Sequence, residues 1–179
     1  MGLKSEIGKD SQMDEYLDIV DKNDRIVGKM KRSEVYKTDL QNHRIVNAFV
    51  INSKGQIWIP RRASNKKIFP LYLDASMAGH VKSGETYDQA FKRELQEELN
   101  IDADKIEFHI LGKVTPQNNK TSCFSTIYEI KSDLTPKFNK NDFIEYFWLT
   151  PREFLKRIKN GDKAKSDLPK LIQAFYLNH

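Results

Sequence analysis

Three glutamates, Glu94, Glu97 and Glu98, stand at spacings i, i+3 and i+4 in the stretch from Gly79 to Ile101. On a helix these positions share one face, and each like-charged pair there costs a few tenths (~0.2–0.5) of a kcal/mol in water. A divalent cation reverses that penalty, because hard cations take oxygen ligands. The chemistry to expect from such a cluster is that of a bound divalent cation. A plain solvated acidic face, with Arg93 and Glu97 paired at i, i+4, is the alternative reading of the same residues.

The element that must carry the cluster is legible locally. Thr86 with Gln89 three residues later is a capping box, which starts a helix near Tyr87. Ala90, Phe91, Leu95 and Leu99 supply its buried stripe. Gly79 and Gly84 bracket a preceding loop whose backbone can approach a ligand closely. Arg93 lies two turns below Glu85 and is placed to hold that loop against the helix with a charge-assisted bond.

Read in full, the pattern is Gly79, five residues, Glu85, seven residues, Arg93-Glu94, Leu95, one residue, Glu97-Glu98, one residue, Asn100, Ile101. It resembles the signature of the Nudix hydrolases at every specified position except Asn100, where that family carries Gly. Asn is the next most tolerant residue of a left-handed helix C-cap, so the departure leaves the cap intact. From His43 to His80 a second resemblance, to the isopentenyl-diphosphate isomerase-like branch of the same superfamily, rests on Asn52-Ser-Lys-Gly55, on Arg61-Arg62-Ala63 followed by Lys66-Lys67, and on Gly79-His80. Trp148 also follows the last strand as it does there.

The resemblance implies an α/β/α sandwich with a mixed β-sheet between helices, and water attack on a phosphorus of a diphosphate with Mg²⁺ or Mn²⁺. It implies Glu94, Glu97 and Glu98 as metal ligands, with the Gly79 carbonyl as a further oxygen ligand. Glu97 or Glu98 doubles as the base that orients water, and Glu85 and Arg93 are structural. Asp142 and Glu145 are further candidates for a base on a later loop. The isomerases instead need a Cys just ahead of the Gly-His pair and a Glu on a later strand. Here Ala78 stands at the first place, the later segment Thr121-Ser-Cys-Phe-Ser125 has no Glu, and Tyr36 aligns with the first of the isomerases' metal-binding histidines. These three losses weigh against isomerase chemistry, Ala78 most of all, which leaves an isopentenyl-diphosphate isomerase as the alternative reading and a non-catalytic diphosphate-binding module as a further one.

Arg61, Arg62, Lys66 and Lys67 form the densest positive patch, and as fork and point charges they suit a phosphate clamp. His43 and His80 are placed to reach the same pocket, with Arg44 beside them. The resemblance implies a nucleoside diphosphate or a derivative of one as the substrate, since relatives of this branch act on such molecules.

The chain has 179 residues, 39% of them hydrophobic. That is enough for a full core. No apolar run approaches the length of a membrane span. The net charge of +5 is interspersed with acidic residues and lacks basic runs with interleaved aromatics. Nucleic acid is therefore not the expected partner. Residues 1–13 read as a polar, flexible lead-in without a signal-peptide core, and 14–179 as a single domain acting as monomer or homodimer. The single Cys123 excludes an intrachain disulfide. It fits a cytoplasmic protein, with the thiol as a small buried hydrophobe.

Alternation and turn residues predict strands at 16–20, 25–30, 44–51, 56–60, 73–78, 106–114, 123–130 and 143–149. Thr150-Pro-Arg-Glu153 opens a helix stopped at Gly161, and a final helix runs over 168–177.

Overall fold

The computed structural model describes residues 14–177, so the expected lead-in over 1–13 lies outside them. Strands β1 (Tyr16–Val20) and β2 (Ile26–Lys31) form an antiparallel hairpin of their own. Its turn is fixed by the Asp21 side chain, whose Oδ1 accepts from the amides of Asn23 and Arg25 at 2.8 and 2.9 Å. A short helix, α1 (Arg32–Lys37), follows directly. Its N-cap residue Lys31 offers no side-chain cap and only Val35 is buried. No sequence signal marks such a helix.

The main sheet has the strand order β6-β7-β3-β4-β8, with β5 also paired to β3. Its strands are β3 (Arg44–Ile51), β4 (Ile57–Arg62), β5 (Met77–His80), β6 (Phe108–Val114), β7 (Phe124–Lys131) and β8 (Phe143–Leu149). β3 and β7 run parallel, from Arg44↔Phe124 to Ile51↔Lys131, and the other named pairs are antiparallel. One edge of β3 is shared: β4 meets it only at Ile51↔Ile57, while β5 takes the opposite end from Ile45↔His80 to Ala48↔Met77. The sheet is split at that edge, and the split is where the carboxylates gather.

Alternation along the central strands sends side chains into two separate cores. Val46, Ala48 and Val50 of β3, Trp58 of β4, and Tyr128 and Ile130 of β7 pack against helix α2 (Tyr87–Leu99) through Ala90, Phe91, Leu95 and Leu99. Phe91 stacks on Tyr128 with ring centroids 4.1 Å apart. Phe49, Ile57, Ile59 and Ile127 point the other way, toward α4 (Pro151–Lys159) and α5 (Leu168–Tyr176). A mixed sheet covered by helices on both faces is the expected α/β/α sandwich.

The expected strand over 73–78 is displaced. Leu73 makes only isolated bridges to Arg61 and Ala164, and the strand lies at Met77–His80. Gly79 and His80 therefore sit on strand backbone rather than in a loop. The cause is competition for partners: the 73–75 segment is drawn to β4 and the 163–165 backbone by Asp74 N–H to Pro60 O and Leu73 N–H to Lys163 O. A four-residue helix, α3 (Pro116–Asn119), was also not expected, although the Thr115 cap and Pro116 at its first position announce it.

Between β4 and β5 the backbone is strained. Phe69 and Leu71 have φ of 52° and 64°. This left-handed region costs a non-glycine residue roughly 1–2 kcal/mol.

Candidate active site

Helix α2 begins with the expected capping box, Thr86 Oγ1 accepting from Gln89 N–H at 3.2 Å and Gln89 Oε1 from Thr86 N–H at 2.8 Å. It ends at Asn100, whose φ of 54° and ψ of 35° place it in the left-handed region. That is the cap expected of it. The Asn100 side-chain amide also donates to Lys137 O at 2.5 Å, a bond that Gly could not make.

Arg93 is the hub of the site. Its Nε and Nη2 fork onto Glu85 at 2.8 and 2.9 Å, Nη2 donates to His80 O at 2.9 Å, and Nη1 donates to Glu94 at 2.6 Å. One guanidinium thus joins the glycine loop, strand β5 and the carboxylate face. Glu85 is completed by the Lys82 amide at 3.0 Å. Burial works to raise the Glu85 carboxyl, yet the Arg93 and Lys82 bonds win and hold it below its ordinary range.

Gly79 is required by proximity. A Cβ there would lie 2.0 Å from Glu94 Cδ, so the Glu94 carboxylate rests against bare backbone. Burial pushes the Glu94 carboxyl up to about 7, with Arg93 opposing and the charges of Glu97 and Glu15 adding to the rise. Glu98 Oε2 accepts from the Ala78 amide at 3.2 Å. Burial raises Glu98 well above the usual carboxylate range, and the neighbouring Glu94, Asp74 and Asp142 charges raise it further. Glu97 is the outer member, with 55% of its side chain exposed and Arg93 Nη1 at 3.5 Å.

Among the described residues no three His, Cys, Asp or Glu side chains stand in metal-ligating geometry. The donor set nevertheless fits a hard divalent cation. It offers carboxylate oxygens side by side, with Glu94 resting against the bare backbone of Gly79 and Glu98 held on the Ala78 amide.

The positive patch is engaged with the protein itself. Arg61 donates to both oxygens of Asp162 at 2.9 Å, to Leu71 O at 2.9 Å and to Glu145. Arg62 donates to Asp74 at 2.7 Å and to the carbonyls of Ile68 and Phe69 at 3.1 Å. Lys66 pairs with Asp142, and Lys67 is exposed. Arg44 turns away to Asp24, at 2.6 Å.

His80 and His43 stack with ring centroids 5.8 Å apart, and the Tyr36 hydroxyl lies 2.8 Å from His80 Nε2. His43 Nδ1 donates to Leu40 O at 2.9 Å. Burial keeps both imidazoles below the ordinary histidine range, with the Arg32 charge adding to each; His80 lies the further below because His43, Lys165 and Arg93 also face it, whereas the bond to Leu40 O opposes the shift of His43.

Several residues beside the triad carried no sequence signal. Asp74, 3% exposed, bridges Arg62 and Lys165, and Glu15 pairs with Arg32 at 3.3 Å while its charge reaches Glu94. Of the two later carboxylates, Asp142 is close enough to bear on Glu98, whereas Glu145 is held by Arg61 and half exposed. Cys123 is buried beside Ser122, its thiol pushed up to about 12 by burial, which suits the expected small hydrophobe.

A family model described as the NUDIX domain matches residues 41–171. An uncharacterized Nudix hydrolase of Nostoc sp. is 54% identical over 164 residues, covering 92% of this chain and 97% of the relative. A crystal structure of a Deinococcus radiodurans protein superposes with a TM-score of 0.86 at 44% identity, covering 90% of this chain and 99% of that one. An isopentenyl-diphosphate Delta-isomerase of Photorhabdus laumondii is 27% identical over 151 residues, covering 83% of this chain and 85% of the relative. The chain belongs to the Nudix family. No helix among the described residues is long and apolar enough to cross a membrane.

Proposed function

We propose that this protein is a metal-dependent hydrolase of a diphosphate linkage in a nucleoside diphosphate or a derivative of one. The observation that carries the reading is the Arg93 hub, which holds Glu94 against the bare backbone of Gly79 and beside the buried Glu98. Mg²⁺ or Mn²⁺ bound there would neutralise phosphate charge and lower the pKa of an attacking water. Glu94 and Glu98, with the Gly79 carbonyl, hold that ion from the protein side, and Glu97 completes the set. Glu98 is fixed on the Ala78 amide, whereas Glu97 is exposed and loosely partnered. That contrast favours Glu97 for orienting the water and taking its proton.

Charge on the substrate is met by residues already ordered around the cluster. Arg62 and Lys66 pair with Asp74 and Asp142, the two aspartates whose charges reach Glu98. An incoming diphosphate competes for the same donors. Lys67 adds an exposed positive charge to that approach, and Arg61 fixes the strand beneath. His43 and His80 stack on each other beside the Tyr36 hydroxyl, and His80 O accepts from Arg93 of the hub. Ala78 speaks against alkene isomerisation, since its methyl group has no proton to exchange, and the buried Cys123 stands just ahead of β7, which pairs with β3 rather than with β5.

The test is phosphate release across a panel of nucleoside and prenyl diphosphates with Mg²⁺ or Mn²⁺. Turnover of a nucleoside diphosphate or derivative is expected. Glu97→Gln and Glu98→Gln are each expected to reduce the rate by about 10²–10⁴-fold, the span of a lost general base or ligand, with thermal unfolding preserved. A wild-type protein inert to the whole panel sinks the reading, as does conversion of isopentenyl to dimethylallyl diphosphate without phosphate release.

A further inference from the structure

The segment from Phe69 to Tyr72 is a tight turn, closed by Tyr72 N–H to Phe69 O at 3.4 Å. Pro70 and then a residue of positive φ follow the type II pattern, in which the third position is ordinarily Gly. Here that position is Leu71, at φ 64°, and the turn is entered through Phe69, at φ 52°. Two bulky side chains are held in a backbone region that glycine adopts without penalty.

Core packing does not account for them. Phe69 is 37% exposed and Leu71 47% exposed, and neither belongs to the two cores. The protein holds the turn firmly all the same. Arg62 donates to the carbonyls of Ile68 and Phe69, and Arg61 to that of Leu71. The anchors lead to the carboxylate cluster: Arg62 is paired with Asp74, which leads into the strand whose Ala78 amide holds Glu98, and the loop's own Lys66 is paired with Asp142, whose amide donates to the carbonyl of Asn139, the residue whose own N–H donates to Glu98 O. The strained turn is therefore fixed to the rim of the candidate active site.

We propose that Phe69 and Leu71 are specificity-determining residues that receive the nucleobase of the substrate, Phe69 by stacking and Leu71 by apolar contact at its edge. This rests on the diphosphate hydrolase reading and extends it to the non-phosphate half of the molecule. The exposure of the rim favours a base over an isoprenyl chain. A heteroaromatic ring covers one face and leaves its polar edge in water, whereas a hydrocarbon chain gains its affinity from enclosure. Tyr72, tilted against Phe69 at 5.3 Å between centroids, supports the ring from within the turn.

Leu71→Gly and Phe69→Ala test this. Against wild type, each is expected to lower kcat/KM for the nucleoside diphosphate about tenfold relative to methyl diphosphate, which has the same anhydride and no base; that is the size of one base–aromatic stack. The loss should lie in KM. Leu71→Gly should melt no lower than wild type, because it relaxes the turn while deleting the contact, so misfolding cannot imitate the result. Titration of wild type and both variants with a nucleoside α,β-methylene diphosphate and Mg²⁺ reads the same contact without turnover. An inert wild type that still binds this probe more tightly than the variants would overturn the hydrolase reading and keep the rim. The rim is overturned if both substrates weaken together, if geranyl diphosphate is affected more than the nucleoside, or if the variants change sedimentation mass, which would make the turn a subunit contact.

Discussion

A methyl group at position 79 would meet Glu94 Cδ at 2.0 Å, and the clash can be relieved only by moving that carboxylate off Arg93. Gly79→Ala is therefore expected to lower activity by at least about 100-fold, as a misplaced ligand does. Its cost in stability should stay near ~1 kcal/mol, because the displaced group is the end of a side chain rather than packed core. Parallel activity and urea-unfolding measurements separate the two effects. Cys123 gives a second check at this scale, its thiol standing at about 12. A thiol-specific chromophoric reagent at pH 8 should find it unreactive in the folded protein and fully reactive in denaturant.

At the scale of elements, helix α2 derives its placement from its two ends and one buried stripe. Thr86→Ala removes the acceptor for the Gln89 amide. It should destabilise by about 1 kcal/mol in urea. Asn100→Gly keeps the left-handed cap but gives up the bond to Lys137 O, so it should be near neutral despite the more permissive backbone. These ends were legible because capping chemistry is local: Thr86 and Gln89, and Thr150 and Glu153, name their own helices. Helix α1 was not legible, since Lys31 supplies no cap and a single buried Val35 makes no period. The strand at Met77–His80 was misplaced for the opposite reason. The apolar residues of 73–78 suit a strand, but which of them pair is decided by the distant β3 and by Asp74, whose partners Arg62 and Lys165 no local pattern reveals. The carboxylate triad could be read in sequence; the aspartates and arginines that set its electrostatics come from across the fold.

For the molecule as a whole, one ionic network ties the outer strands to the helical face. Arg61 of β4 joins Glu145 of β8 and Asp162 just after α4, and Asp162 also accepts from Arg157 at 2.6 Å. The bond from Arg61 outweighs burial and holds the Asp162 carboxyl well below its ordinary range. The native state therefore keeps Asp162 ionised where the unfolded chain would protonate it. The resulting stability is in full force above about pH 4, the unfolded value, and is lost as pH falls through the depressed native one. Asp162→Asn should accordingly destabilise at neutral pH and flatten the loss of stability on acidification, as read by thermal melts from pH 7 to pH 2.

The pairing of β3 with β7 has a consequence for synthesis as well as for shape. The ribosome completes the glutamate helix at Leu99, yet Tyr128, on which Phe91 stacks, belongs to a strand that ends at Lys131. While the intervening chain is made, an emerging α2 has only half its floor, and three acidic side chains ride on a helix that cannot yet dock. A chain truncated before Phe124 and released should remain protease-sensitive through α2, and the full chain should not. The candidate site is thus completed only some time after the helix that carries its glutamates has been made.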